Sequence, residues 1–346
     1  MSSSLSQLIG RQYAIAHGEA TPLAVPKFNK YTICNLRGGI GKTSLAFNLS
    51  YLTDDILCVD TCPQCNLTSF FDENYTQNVS TTVYDVLLSH FIPGLGSSTR
   101  VAKKIDATNK FFEGKNSFFL PSDTKLYLLP TQIANALSQA NTIPGERSIV
   151  MKDKMLYALR DEINREMEET NTKRCLIDTS PFFSGATHLA WHACDALIIP
   201  VRTDQQSVNS LSLLIDTLSS PSSEFRRMLP SDNHTPKIQI VVLTHCGWST
   251  VAGARNVPNQ QTKIYVEKVY DIISRNITHF TTDKPENHLL LLDDFLGTGR
   301  ISSARSKPIP MLSPGESATI NRVRTEVNAS VTKIQKQLEY IHNSLW

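Results

Sequence analysis

Arg37-Gly38-Gly39-Ile40-Gly41-Lys42-Thr43-Ser44 concentrates the residue types that a chain of phosphates requires. Glycines let successive backbone N–H groups close on phosphate oxygens, a lysine neutralises them, and a hydroxyl beside the lysine can join a Mg²⁺ shell. Gly38, Gly39, Ile40, Gly41, Lys42, Thr43 and Ser44 are therefore the expected nucleotide-binding residues, with Lys42 as the central cation and Thr43 as a metal ligand. The strict pattern G-x-x-x-x-G-K-[ST] would place glycine where this chain has Leu36. The flanks supply what the chemistry needs. An apolar run, Tyr31-Thr32-Ile33-Cys34-Asn35-Leu36, precedes the glycines, and a helical stretch from Lys42 to about Leu52 follows them. A chance Lys-Thr behind a glycine turn is the alternative.

Asp178 ends a second apolar run, Cys175-Leu176-Ile177. A carboxylate at the end of a strand beside the loop can hold Mg²⁺ together with Thr43, and otherwise would cap the next helix. Asp60 and Cys62 follow a third run, Leu57-Cys58-Val59. Cys62-Pro63-Gln64-Cys65 also spells C-x-x-C, which reads either as a redox or metal pair or as two buried thiols beside a nucleotide.

These residues need strands to carry them to one edge and helices to cover those strands. Apolar runs predict strands at 32–36, 56–60, 126–130, 174–178, 196–201 and 238–244. Helical periodicity predicts helices at 42–53, 80–90, 147–169, 206–219, 262–276 and 316–343. The alternation implies an α/β fold with a mostly parallel central sheet and helices on both faces. Residues 1–30 read as a short N-terminal extension, with a helix from Leu5 to Ala16 and a polar connector ending at Pro26. Residues 31–346 read as one nucleotide-binding domain with a variable insertion near 92–122, opened by Pro93-Gly94-Leu95-Gly96, and a C-terminal helix over 316–343. That helix carries an apolar stripe of Ile320, Val323, Val327, Val331, Ile334, Leu338 and Ile341, suited to packing against the domain or a partner helix.

At 346 residues and 40% hydrophobic, the chain can bury a large core. A net charge of +2 does not announce a nucleic-acid binder, but 222–346 holds 15 Lys and Arg against 11 Asp and Glu. Arg300, Arg305, Lys307, Arg322 and Arg324 could form a DNA-binding face or an ordinary solvated one. No apolar run is long enough to cross a membrane, and the N-terminus lacks a charged start before an apolar core, so a cytoplasmic protein without membrane contact is expected. Seven cysteines, mostly within apolar runs, are expected to be reduced.

The glycine loop and the segment Asp60-Thr61-Cys62-Pro63-Gln64-Cys65-Asn66-Leu67-Thr68 together resemble the ParA branch of the ParA/MinD ATPases, a P-loop NTPase group. In that family the deviant loop reads K-G-G-x-G-K-[ST] and the next motif D-x-D-P-Q-x-N-x-T. The resemblance continues through Thr82-Val83-Tyr84-Asp85, Leu128-Leu129-Pro130, Leu176-Ile177-Asp178-Thr179 and Cys194-Asp195-Ala196, and spans roughly 31–340. It implies ATP and Mg²⁺ as cofactors and an ATP-sandwiched homodimer. It also implies DNA partition, a plasmid-type role, and a ParB-like partner that stimulates hydrolysis. Arg37 stands at the family's signature lysine, which reaches the partner's phosphates, and arginine keeps that charge. Asp60 matches the first Asp of D-x-D, and Cys62 the second, which orients the attacking water. A neutral thiol substitutes poorly for a carboxylate, so hydrolysis is expected to be slow. Two other readings are a non-hydrolysing ATP-bound scaffold of a mobile-element or defence system and a metabolic P-loop phosphotransferase.

Overall fold

Short apolar runs bounded by helices give a sheet buried on both faces. The computed structural model describes residues 3–77, 81–92, 100–183, 185–249 and 257–346. Its strands are β1 Lys30–Ile33, β2 Ile56–Asp60, β3 Lys103–Lys104, β4 Ser117–Leu120, β5 Arg174–Asp178, β6 Ala196–Arg202, β7 Lys237–Cys246, β8 Leu289–Asp293, β9 Ser317–Ile320 and β10 Val323–Glu326. The helices are α1 Ser3–His17, α2 Lys42–Leu52, α3 Asn66–Phe71, α4 Val83–Phe91, α5 Leu129–Asn141, α6 Glu146–Leu156, α7 Ala158–Thr170, α8 Gly185–Ala193, α9 Gln205–Ser219, α10 Glu224–Arg227, α11 Gln260–Arg275, α12 Leu296–Arg305 and α13 Val331–Leu345.

Eight strands form one sheet in the order β3-β4-β2-β5-β1-β6-β7-β8, parallel except for the β3–β4 pair. Alternate residues of each strand feed two cores. Leu57, Val59, Ile177 and Ile199 pack with α5, α7, α8 and α9 on one face. Ile56, Cys58, Leu176 and Ile198 pack with α2 and α13 on the other. This period-2 division on strands buried throughout is the reason the runs look continuously apolar in sequence. Pro200 is tolerated in β6 because its neighbour β1 has already ended, its last partner being Ile33 opposite Ile198.

The expected fold class holds, and several boundaries change. Residues 126–130 are no strand: Tyr127 and Leu128 are exposed at the end of a short 3₁₀ turn, and Pro130 sits in the first turn of α5. The strand is β4, paired with β2, within the segment expected to be a variable insertion. The Pro93-Gly94-Leu95-Gly96 stretch and Ser80 lie outside the described residues. The helix expected over 147–169 is two helices, α6 and α7, separated at Tyr157.

The largest correction is the helix expected over 316–343. Its first part is the β9–β10 hairpin, which turns at Asn321 and Arg322 with φ of 49° and 67°. Two consecutive left-handed residues make the turn whose twist suits a hairpin. Ile320 and Val323 therefore face each other across the hairpin, and Val327 is buried ahead of α13. Only Val331, Ile334, Leu338 and Ile341 belong to the helix, where all four are buried. The strand β8 was not foreseen. Its edge is covered by α1, from which Arg11 donates to the Leu289 carbonyl at 2.6 Å and Gln12 to that of Leu291 at 3.4 Å.

Candidate functional site

The carboxyl ends of β1, β2 and β5 converge where the strand order reverses, the usual ligand position in an open α/β sheet. From β1 the chain enters the glycine loop, in which Gly39 and Gly41 take φ of 71° and 89°. Both values are strained for a residue with Cβ, so the glycines are required by the turn itself. Thr244 donates to the Ile40 carbonyl at 3.1 Å and holds the loop against β7. Lys42, 7% exposed, donates to the carbonyls of Arg37 at 2.8 Å and Asn35 at 3.3 Å. Burial lowers its pKa, and nearby Asp178 opposes that shift.

Thr43 Oγ1 donates to Asp178 Oδ2 at 2.7 Å, which joins the start of α2 to the end of β5. The other oxygen, Asp178 Oδ1, is buried with no partner. A hydroxyl and a carboxylate with one uncommitted buried oxygen are the hard donors that Mg²⁺ takes, so these residues fit the ion. Asp60 lies directly beside Asp178 in the β2–β5 register. Both carboxyl groups are raised above the ordinary range, chiefly by burial, and Asp178 further by the neighbouring Asp60.

The loop between Asp60 and α3 separates the two candidate water-activating residues. Asp60 Oδ1 accepts from the Cys62 N–H at 3.0 Å, and Oδ2 accepts from the N–H and hydroxyl of Thr68, both at 2.8 Å. Its lone pairs therefore fold the loop. Cys62 instead lines a cavity of about 200 Å³ with Gly38, Lys42, Thr43, Gln64 and Asn66. Burial, with Asp60 as the next contributor, pushes its thiol up to about 12. The Cys65 thiol is pushed up to about 11, again mainly by burial. Both cysteines are free and buried, and among the described residues no group of three His, Cys, Asp or Glu could hold a metal. Cys62 is thus a free buried thiol in the cavity wall, and Cys65 a free buried thiol at the N-cap of α3.

Arg37 points away from the glycine loop's interior. Its guanidinium pairs with Asp204, which caps the N-terminus of α9, and donates to Ser207 Oγ at 3.0 Å. Asp204 and Ser207 were not foreseen; their segment signals a helix cap in sequence but not a partner 167 residues away. Asn35 was missed as well: its amide donates to the Pro200 carbonyl at 2.7 Å and its oxygen accepts from Ser210. The basic C-terminal residues divide. Arg305 and Lys307 both pair with Glu316, whereas Arg322 and Arg324 stand exposed on the hairpin. Among the described residues no helix is long and apolar enough to cross a membrane.

The AAA domain family matches residues 29–230, more than half of the chain. The chromosome partitioning protein ParA of Caulobacter vibrioides is 27% identical over 268 residues, covering 75% of this chain and 83% of that protein. The sporulation initiation inhibitor protein Soj of Bacillus subtilis is 26% identical over 250 residues, covering 71% and 83%. Two solved structures share the fold. An ATP complex of a Cyanothece McdA variant has a TM-score of 0.55 at 17% identity, covering 81% of this chain and 88% of that one. A putative plasmid partition protein of Borrelia burgdorferi, bound to AMPPNP, has a TM-score of 0.54 at 16% identity, covering 91% and 98%. With the glycine loop, the Thr43–Asp178 contact and the parallel sheet, this places the chain in the AAA domain family, as a P-loop ATPase of the ParA/MinD type.

Proposed function

We propose that the chain is an ATP-switched dimer that positions or segregates DNA or another large cargo and turns its nucleotide over slowly. The observation that carries this reading is the Thr43–Asp178 contact across the mouth of the glycine loop, with one carboxylate oxygen left uncommitted. In this reading the loop N–H groups and Lys42 bind the phosphates of ATP, and Thr43 and Asp178 hold Mg²⁺. The ion, when bound, neutralises phosphate charge. Arg37 exchanges Asp204 for the phosphates of a second copy, so that ATP favours the closed homodimer. The exposed Arg322 and Arg324 give DNA a sequence-independent contact, and a ParB-like protein would accelerate the reset.

Cys62 supports slow turnover, because a neutral thiol is a weak acceptor where a water must be oriented. The same residue favours a second reading, in which the ATP-bound dimer is a scaffold and is not reset by hydrolysis. Calorimetric titration with ATP and Mg²⁺ tests the common core of both. Wild type should bind, and Lys42→Ala should lose binding. Equal affinity in the two proteins would reject the site.

A further inference from the structure

Behind the glycine loop lies a chamber of about 900 Å³, whose near wall is Gly39, Gly41 and Ser44. Its far wall is built by two elements beyond the stretch that matches the family: the start of α12 and the β9–β10 hairpin. We propose that this hairpin forms the base-side wall of the nucleotide site, gripping the planar base of a nucleoside triphosphate whose phosphates lie in the glycine loop. This rests on the nucleotide-binding reading above and adds the element that recognises the other end of the ligand.

The hairpin is two-faced. Register pairs Ile320 with Val323 and Ala318 with Thr325, so these four side chains share one face, whereas Thr319 and Arg324 share the other. Ile320, Val323 and Thr325 line the chamber. Thr319 and Arg324 are exposed. An apolar face turned toward a polar phosphate loop has no use for the phosphates, but it matches the flat apolar surface of a base. Val323 and Leu296, both chamber-lining, are each 60% exposed, which is surface a base would cover. Leu296 is also held at φ 43°, with its N–H bonded to Asp294 Oδ1 at 3.1 Å. A leucine kept in the left-handed region at a cavity wall is strain that the surrounding structure must enforce.

The hairpin is fixed in place over the chamber. A Cβ on Gly297 would fall 2.7 Å from the Glu326 carbonyl oxygen, so only glycine lets α12 begin against β10. At its base, Val327 N–H donates to the Glu316 carbonyl at 2.8 Å and Gly315 N–H to that of Val327 at 3.1 Å. Arg305 and Lys307 both clamp the Glu316 carboxylate. The turn at Asn321 and Arg322 fixes the tip.

The test uses two ligands that share phosphates and differ in the base: ATP and inorganic tripolyphosphate, each with Mg²⁺, titrated calorimetrically. The double variant Ile320→Asn/Val323→Asn makes the chamber face polar without adding charge, and Thr319→Asn changes the outer face alone. The double variant should bind ATP at least about tenfold more weakly than wild type. Its affinity for tripolyphosphate, and the affinity of Thr319→Asn for ATP, should stay within about twofold. Circular dichroism matching wild type excludes misfolding, as does retained tripolyphosphate binding. ATP affinity unchanged in the double variant, or both ligands weakened equally, overturns the hairpin assignment while leaving the phosphate site standing. Wild type that binds neither ligand overturns the nucleotide reading and the hairpin assignment with it.

Discussion

Arg37 of the glycine loop and Asp204 at the cap of α9 form an ion pair that ties the loop to that helix. The arginine expected to reach a partner's phosphates is thus held by its own chain. Both side chains are about a third exposed, so the pair is a modest restraint, on the order of 0–1 kcal/mol. Asp204→Asn keeps a capping oxygen for the Ser207 N–H and removes the charge. Dimerisation of Asp204→Asn should then need up to about fivefold less ATP, equivalent to about 1 kcal/mol. Arg37→Ala should weaken dimerisation more than ATP binding. Sedimentation across an ATP series reads both, and an unchanged midpoint in both variants would deny Arg37 this role.

Cys62 lines the cavity beside the glycine loop while Asp60 spends its oxygens on Thr68 and the Cys62 N–H. Restoring a carboxylate with Cys62→Asp should raise steady-state ATP hydrolysis at least several-fold, against the roughly 10²–10⁴ that a positioned base commonly contributes. ATP affinity should change little. Brisk hydrolysis by wild type, lost in Asp60→Ala, would move the chemistry to Asp60.

Two buried histidines should each draw stability away in mild acid, against the opposite contribution of the raised Asp60 and Asp178 carboxyls. His188 is buried against the rings of Phe183 and Phe225, and burial lowers its pKa from 6.5 to about 4. His192 shifts in the same direction, again mainly through burial. Between 6.5 and about 4 the unfolded chain binds a proton that the native His188 refuses, so the contribution of His188 to stability drops as pH falls through that window. His188 alone should cost roughly 2 kcal/mol between pH 7 and pH 5. Relative to wild type, His188→Leu should raise the urea midpoint at pH 5 against that at pH 7, whatever the absolute stability of the variant. An identical pH dependence would remove His188 from the account.

Arg322 and Arg324 are the exposed cations of the hairpin, whereas Arg305 and Lys307 are engaged by Glu316. Charge reversal at Arg322 and Arg324 should weaken duplex DNA binding alike for unrelated sequences and flatten its salt dependence by about one unit of slope per arginine. Mobility shifts at several salt concentrations decide it. Sequence-dependent losses would indicate base reading instead.

Much of this site was legible because its signals are local. The glycines run directly into Lys42 and Thr43 at the start of α2, and β2 and β5 have the bounds that their apolar runs predict. The β4 strand was missed because Phe118-Phe119-Leu120 is short, while Leu128-Leu129-Pro130 imitates a strand and is in fact a helix start. The hairpin looks helical in sequence because Ile320, Val323 and Val327 fall at helical spacing and Asn321-Arg322 turns without a glycine. The Arg37–Asp204 pair joins residues far apart in sequence, and nothing local to either announces the other.

Molar mass by light scattering reads an ATP-driven change of assembly without an intermediate assumption. Wild type without nucleotide should have the mass of one chain, 38.6 kDa. Addition of ATP with Mg²⁺ should about double it, and Lys42→Ala should stay at one chain under both conditions. The same mass with and without ATP in wild type, at concentrations where calorimetry shows the site filled, would contradict the switch.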